Sequence, residues 1–446
     1  MTVTTKMARV AIVGAGPAGL FAAKELAKKG VDVVLLNRDI KPGGLAEYGI
    51  YPDKTRLKDG LRCQFHDLLQ LPGISYFGNT PIGHKFPLGL RDLQALGFAA
   101  VLVAAGAQGT KRLGLPGEDS RGVYHAKEIV YHYNHLPPYA GCEYPIGKRV
   151  VVVGVGNVMT DIVRYLLTLP QVEEITTIAR RGLAEVKFDE KELDAIIAHL
   201  DGPDFQAEVA RIAPVMQQVD QAVDEHAEMI EKIYSFSQQK ELPPPWRLRF
   251  LYSPVEILAD AAGAVRGIRV EDNTLECTAQ GVRARGTGRQ ADLAADTLIF
   301  AIGDQVDDEL GLPVRGYGFA LKDQPQFPVG GDSFELAEEA ASMDLSNIFV
   351  CGWSRNASQG MVGIARRDGL NAARVVQSFL AGRPEVPPVE VATLESALQR
   401  AGYNYVTLEA LARLEDVESQ RAQAANLVEF KFESNEEMLK VMGLSR

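Results

Sequence analysis

Glycines at positions 14, 16 and 19 leave this chain few choices. They follow an apolar run, Val10–Val13, and open a helical pattern that continues from Leu20 to Lys29. Strand, sharp turn and helix in that order is the setting in which G-x-G-x-x-G reads as a dinucleotide cradle. Gly14 permits the turn, Gly16 lets a pyrophosphate come up to the backbone, and Gly19 lets helix and strand pack closely. Pro17 belongs to the same turn. The helix then offers free N–H groups and a positive dipole end to the phosphates.

A second cradle follows. Arg149–Val153 reads as a strand, and Gly154-Val155-Gly156-Asn157-Val158-Met159-Thr160-Asp161 reads as the turn into a helix, without the third glycine. The next strand, Ile175–Ala179, ends in Arg180-Arg181-Gly182, where a nucleotide fold usually carries an acid for the ribose. Two guanidiniums there can grip a 2′-phosphate through charge-assisted, bidentate hydrogen bonds, which selects NADP over NAD. A plain surface pair of arginines is the competing reading. At the first cradle the corresponding place holds Asn37, which can still bond a hydroxyl. Arg38 beside it admits a phosphorylated ribose instead.

The chain has 446 residues, enough for two or three domains. Two further apolar strands, Ala99–Ala105 ending at Gly106 and Thr297–Ile302 ending at Gly303, are read as paired hinge strands. They divide the chain into a first domain, 1–106 and 303–446, with a second, 107–302, inserted. The expected fold is therefore α/β, with two Rossmann-like three-layer dinucleotide-binding domains. Residues 190–245 read as a helical elaboration with a Pro-rich exit, 264–298 as a β-meander, and Leu427–Phe432 as a strand in the tail.

Four dispersed cysteines with no C-x-x-C argue against a disulfide framework, a dithiol centre or a self-contained iron–sulfur site. They suit a reducing cytoplasm. No apolar run is long enough to span a bilayer, and the first eight residues are too short and polar for a signal or transit peptide. No metal-ligand constellation is legible. The net charge of −11 disfavours nonspecific nucleic-acid binding. The charge is uneven: residues 1–106 carry 13 Lys and Arg against 8 Asp and Glu, the remainder 34 against 50. Lys54, Arg56, Lys58 and Arg62 gather on one predicted helix, either as a solvated face or as a docking face for an acidic partner.

Paired glycines recur at Gly43-Gly44, before Leu45 and Tyr48. Near the end, a strand at Ile348–Cys351 runs into Gly352-Trp353 and on to Gly360-Met361-Val362-Gly363 at the head of a long helix, another N-terminus that favours negative charge. Trp353 fills either a cofactor wall or plain core.

Together these motifs resemble the ferredoxin/adrenodoxin–NADP⁺ reductase family of two-domain FAD flavoproteins. The segments that carry the likeness are G-A-G-P-A-G at 14–19, P-G-G-L at 42–45, Y-G-I-Y-P-D at 48–53, A-G-A at 105–107, G-V-G-N-V-M-T-D at 154–161, A-R-R-G at 179–182, F-D-E-K-E-L at 188–193, L-R-F-L-Y-S-P-V-E-I-L at 248–258 and G-W at 352–353. The resemblance implies that Gly14, Gly16 and Gly19 hold the FAD pyrophosphate, with Gly44 and Leu45 along the FAD. It sets Trp353, Gly360, Met361 and Val362 by the isoalloxazine. It gives Asn157 and Val158 to the NADP pyrophosphate and Arg180 and Arg181 to the 2′-phosphate. Asp161 and Glu192 fall in the flavin and nicotinamide surroundings.

The activity implied is hydride transfer from NADPH to FAD, then single electrons to an iron–sulfur protein. A looser likeness to the small subunit of glutamate synthase leaves open an electron-input subunit of a larger complex. A non-catalytic nucleotide sensor is the third reading. Asn37 and Lys54 depart from the family pattern, which has Glu and often His there. The stretch near 207–245, where the family's basic docking helix should fall, is acidic.

Overall fold

In the computed structural model, residues 8–221, 224–279, 281–338, 343–357, 360, 362–384 and 387–445 are described. The chain forms two compact units, one of residues 1–111, 131–141 and 303–446, the other of residues 112–130 and 142–302.

In the first unit, β1 (Arg9–Val13) leads into α1 (Pro17–Ala27) and β2 (Asp32–Leu36). The short α2 (Leu45–Tyr48) and α3 (Thr55–Leu69) precede β3 (Ile74–Phe77), and α4 (Leu90–Ala95) precedes β4 (Ala100–Val103). A two-residue strand, β5 (Gly109–Thr110), follows.

The second unit begins with β6 (Val123–His125) and α5 (Ala126–Tyr133), whose last residues belong to the first unit. Next come β7 (Arg149–Val153), α6 (Asn157–Leu166), β8 (Glu174–Ile178), α7 (Glu190–Leu193), α8 (Gly202–Gln217) and α9 (Asp224–Phe236). β9 (Trp246–Arg249) leads to the meander β10 (Tyr252–Ala259), β11 (Val265–Thr278) and β12 (Gly281–Ala294), and β13 (Thr297–Phe300) ends the unit.

Back in the first unit are β14 (Asp304–Gln305), a hairpin of β15 (Val314–Arg315) and β16 (Gly318–Phe319), and β17 (Ile348–Val350). The helices α10 (Trp353–Asn356), α11 (Val362–Ala381), α12 (Val391–Arg400), α13 (Leu408–Ala424) and α14 (Asn435–Met442) close the chain.

Each unit is built on a five-stranded parallel sheet with the glycine-turn strand at its centre. The orders are β17-β4-β1-β2-β3 and β6-β13-β7-β8-β9. In the first sheet alternate residues feed opposite cores. Val10 and Ile12 pack with α1 and α11, while Ala11 and Val13 pack with Leu90, Leu93, Leu394 and Leu398 from α4 and α12. A strand buried on both faces must be apolar throughout, which is why these runs do not alternate. In the second sheet Val151, Val153 and Leu298 face the meander through Ile257, Ile268 and Val270. Both units are thus three-layer α/β.

Three expectations need correction. The two presumed hinge strands are not a pair: β4 and β13 each sit in the sheet of their own unit, beside its glycine-turn strand. The strands that do pair across that sequence gap are β5 and β14, two residues each, too short to register as apolar runs. Residues 131–141 join the first unit and not the inserted one, because Tyr131 and Leu136 pack on Tyr48. Residues 427–432 form no strand; Val428 is 85% exposed, and the segment instead delivers Glu429 and Lys431 to ion pairs. Among the described residues no helix is long and apolar enough to cross a membrane.

Candidate functional site: two glycine cradles

The two turns are built alike, each within its own unit. Gly14 has φ +110°, and a Cβ there would lie 2.4 Å from the Ala104 carbonyl oxygen. Gly154 has φ +123°, and its Cβ would lie 2.3 Å from the Ala301 carbonyl oxygen. In both cases the turn residue is wedged against the end of the neighbouring strand, so only glycine fits. The same backbone bonds fix both: Gly14 N–H donates to Leu36 O and Gly154 N–H to Ile178 O, at 2.8 and 2.9 Å.

The middle glycines behave oppositely. A Cβ on Gly16 or on Gly156 would meet nothing within 4 Å. Gly16 caps α1 and Gly156 caps α6; neither helix has a capping side chain or an acidic residue in its first turn. A helix start with an uncapped first turn and open room at its middle glycine is the kind of place an anionic group can approach, although at the second turn Gly156 is bridged to Lys187. Gly19 completes the first turn, its would-be Cβ only 2.1 Å from the Gly14 oxygen. The place of the missing third glycine in the second turn is taken by Met159, fully buried.

The carboxyl ends of the first sheet gather the other expected residues. Gly44, at φ +51°, has its Cβ direction 3.2 Å from the Gly16 Cα, and Gly43 N–H bonds to Ala15 O at 2.8 Å. The P-G-G-L loop is thus laid against the first cradle and carries Leu45 and Tyr48 with it. Asn37, expected at a ribose hydroxyl, turns inward and is only 6% exposed. Its Oδ1 accepts the Ala15 N–H at 2.9 Å, and its Nδ2 donates to Asp39 O and Lys41 O at 2.9 and 3.0 Å. It staples the cradle to the loop after β2. Arg38 stays half-exposed, paired with Asp39 at 3.0 Å and donating to Gln108 Oε1 at 2.9 Å.

Gly352 follows β17, and a Cβ there would come 2.7 Å from that of Ala18 at the head of α1. This sets Trp353 beside the first cradle. The turn is held by Asp368 of α11, a buried carboxylate that accepts from Gly352 N–H and pairs with Arg355 at 2.6 Å. Ser354 Oγ donates to the oxygen of Gly106 at 3.1 Å, so Gly106 lies in the same group. Gly360, at φ +85°, and Val362 flank the start of α11. Met361 lies outside the described residues. Nothing in the sequence marked Asp368 or Arg355 as more than ordinary helix and turn residues.

Beside this cradle lies a buried set of charges. Glu47 of α2 bonds Arg62 through both oxygens at 2.6 Å and Lys431 at 2.7 Å. Glu429 bonds Arg62 and lies 3.4 Å from Lys58; Lys41 pairs with Glu418. Burial pushes the Glu47 carboxyl up, but Arg62, Lys431 and Lys41 outweigh it and hold it well below the usual range. Burial also lowers Lys431 to about 8 against the pull of Glu47. The Lys431 ammonium stands 4.8 Å from the centre of the Tyr48 ring. Half of the presumed basic helix face is accounted for here: Lys58 is 2% exposed and Arg62 is spent on two carboxylates. The spacing of Lys58 to Phe65 and Leu69 on α3 is the one signal that it faces inward.

In the second unit, residues 187–189 run along the glycine turn. Lys187 N–H donates to Val155 O at 2.9 Å, and Asn157 exchanges bonds with Asp189 at 2.8 and 3.0 Å. The Asn157 side chain is therefore engaged, and Gly156 before it is bridged to Lys187. Val158 beside it is exposed. Asp161 on α6 and Glu192 on α7 are half-buried on helices that pack together. Arg180 and Arg181 stand just past the end of β8, the former exposed, the latter 2.8 Å from Glu185. Among the described residues no cluster of three or more His, Cys, Asp or Glu is disposed to hold a metal ion, and none of the four cysteines forms a disulfide.

Residues 8–200 match the model of the pyridine nucleotide-disulphide oxidoreductase family. That stretch of the chain is similar to this family. It spans the whole first cradle and the second through its arginine pair. The chain is 27% identical to the mitochondrial NADPH:adrenodoxin oxidoreductase of Salvelinus fontinalis, over 97% of this chain and 91% of that one. It is 29% identical to the NADPH-ferredoxin reductase FprA of Mycobacterium tuberculosis, over 80% of this chain and 81% of that one. The solved structure of Mycobacterium tuberculosis FprA in complex with NADPH superposes with a TM-score of 0.83 at 23% identity, covering 98% of this chain and 99% of the other. At that identity the superposition speaks for the fold, a two-domain dinucleotide-binding one.

Proposed function

We propose that this chain is an NADPH-dependent flavoprotein oxidoreductase that binds FAD in its first unit and NADPH in its second, and delivers electrons to an iron–sulfur protein of the ferredoxin kind. Bound FAD would supply the conversion that the protein side chains cannot, accepting a hydride from the nicotinamide and releasing the electrons singly. The chain's own part is to bind and orient. Gly14, Gly16, Pro17 and Gly19 would hold the FAD pyrophosphate, with Gly44, Leu45, Tyr48 and Gly106 around the rest, Arg38 at the adenosine end, and Gly352, Trp353, Gly360 and Val362 at the ring. Gly154, Gly156, Asn157 and Val158 would take the NADPH pyrophosphate. Arg180 and Arg181 would face its 2′-phosphate, Glu192 would lie on the nicotinamide side, and Asp161 would be an acid near the flavin.

One observation carries the reading: the glycine cradle occurs twice, and only the second is followed by a basic pair at the end of its next strand. Widely spaced cysteines that form no disulfide support residence in a reducing compartment, the cytoplasm, and offer no dithiol as an internal electron relay.

The test is anaerobic mixing of the purified holoprotein with NADPH or NADH, followed by addition of an oxidised ferredoxin. NADPH is expected to bleach the flavin at lower concentration than NADH, and the ferredoxin to restore it. A flavin that NADPH leaves oxidised would refute the activity. Bleaching without reoxidation by ferredoxin would refute only the partner.

A further inference from the structure

The end of β8 holds an acid close to where a phosphate is expected. Arg181 Nη1 lies 2.8 Å from Glu185 Oε2, an i,i+4 pair with side chains 31% and 20% exposed. The other oxygen of Glu185 accepts from Gln221 Nε2 at 3.0 Å, so the carboxylate is fixed from two sides. Backbone geometry keeps it there. The short turn Leu183–Glu185 follows Gly182, where a Cβ would come 2.7 Å from the Met216 sulfur, so the chain doubles back tightly after the arginines. Arg180, by contrast, is exposed and has no carboxylate partner among the described residues.

Resting on the reading that this unit binds NADPH, we propose that Glu185 is a specificity-determining residue that limits the preference for NADPH over NADH. It neutralises Arg181 and places a fixed negative charge next to the doubly charged 2′-phosphate, leaving Arg180 to supply the uncompensated attraction. A guanidinium already paired gains less from a second anion, and a like charge within a few ångströms opposes it. A glutamine at 185 keeps the shape and an oxygen for Gln221 while removing the charge.

The experiment is equilibrium binding of 2′,5′-ADP and of 5′-AMP, which differ only in the 2′-phosphate, to the full holoprotein and its variants. Glu185→Gln is expected to tighten 2′,5′-ADP by about fivefold, the effect of one partly screened charge, and to leave 5′-AMP unchanged. Arg181→Ala is expected to cost little alone and more in the Glu185→Gln background. Unchanged 5′-AMP binding also reports that the variants are folded. If Glu185→Gln leaves 2′,5′-ADP binding unchanged or weaker, Glu185 is a support for Arg181 and the proposal is overturned, while Arg180→Ala still weakens 2′,5′-ADP. If the unaltered protein binds the two ligands equally and Arg180→Ala changes neither, the phosphate assignment itself fails and takes this proposal with it.

Discussion

Replacing Glu47 by Gln tests the buried charges that tie the tail to the loop beside the first cradle. The Glu47 side chain is 3% exposed and answers Arg62 and Lys431 directly, with Lys41 adding a longer-range pull. Removing one partner of a buried ionic set leaves the others desolvated and unpaired, which costs about 3–5 kcal/mol. For a unit of this size that lowers Tm by about 6–20 °C. The pH dependence follows from the direction of the Glu47 shift. Its folded pKa is depressed below the ordinary 4.5, so its contribution is fully present above that value and is lost as pH falls toward the folded pKa. The variant is therefore expected to lose stability at neutral pH and to show a shallower decline below about pH 4.5. Thermal unfolding followed from pH 3 to 8 (roughly the span of that linkage) reads both effects. Adding Lys431→Met to Glu47→Gln removes one stranded cation and is expected to recover part of the loss. A Glu47→Gln protein within about 1 kcal/mol of the parent, with an unchanged acid limb, would mean the charges are hydrated and the reasoning wrong.

Gly14→Ala is expected to destabilise the first unit by about 3 kcal/mol or more, because φ +110° and a 2.4 Å approach to Ala104 both act against it; denaturant titration of apoprotein measures this. Asn37→Ala removes the acceptor of the buried Ala15 N–H and is expected to cost about 1–3 kcal/mol while raising the FAD dissociation rate, read by flavin release on dilution. Lys431, lowered to about 8, binds its proton more weakly folded than unfolded, so its contribution makes stability rise between about pH 8 and 10.5; Lys431→Met is expected to abolish that rise in thermal unfolding curves.

Both glycine turns were legible because glycine is set there by features local to the turn: Gly14 and Gly154 take a positive φ, and a Cβ at Gly16 or Gly156 would meet nothing within 4 Å. Uniform apolar runs likewise revealed parallel, doubly buried strands. The same uniformity hid which sheet each run joins, so β4 and β13 read as a hinge pair when each flanks its own central strand. Asn37 looked like a weakened ribose ligand because its partners, Ala15 N–H and the carbonyls of Asp39 and Lys41, exist only once the loop is folded. The ionic set was least accessible: Lys431 meets the Glu47 main chain across 384 residues of sequence, and no local pattern encodes that. Glu185 falls between, four residues from Arg181 and visible as a spacing, though its attachment to Gln221 needed the fold.

The middle glycines, where a Cβ meets nothing within 4 Å, offer the most direct test of nucleotide binding. Gly16→Val and Gly156→Val each put a Cβ where nothing stands within 4 Å, so both proteins should fold, short of the parent by about 1 kcal/mol for the poorer helix cap. Titration of apoprotein with FAD, and of holoprotein or apoprotein with NADP⁺, should show Gly16→Val losing FAD while keeping NADP⁺, and Gly156→Val the reverse. Two well-folded variants that bind both ligands as the parent does would contradict the claim that these turns are the nucleotide cradles.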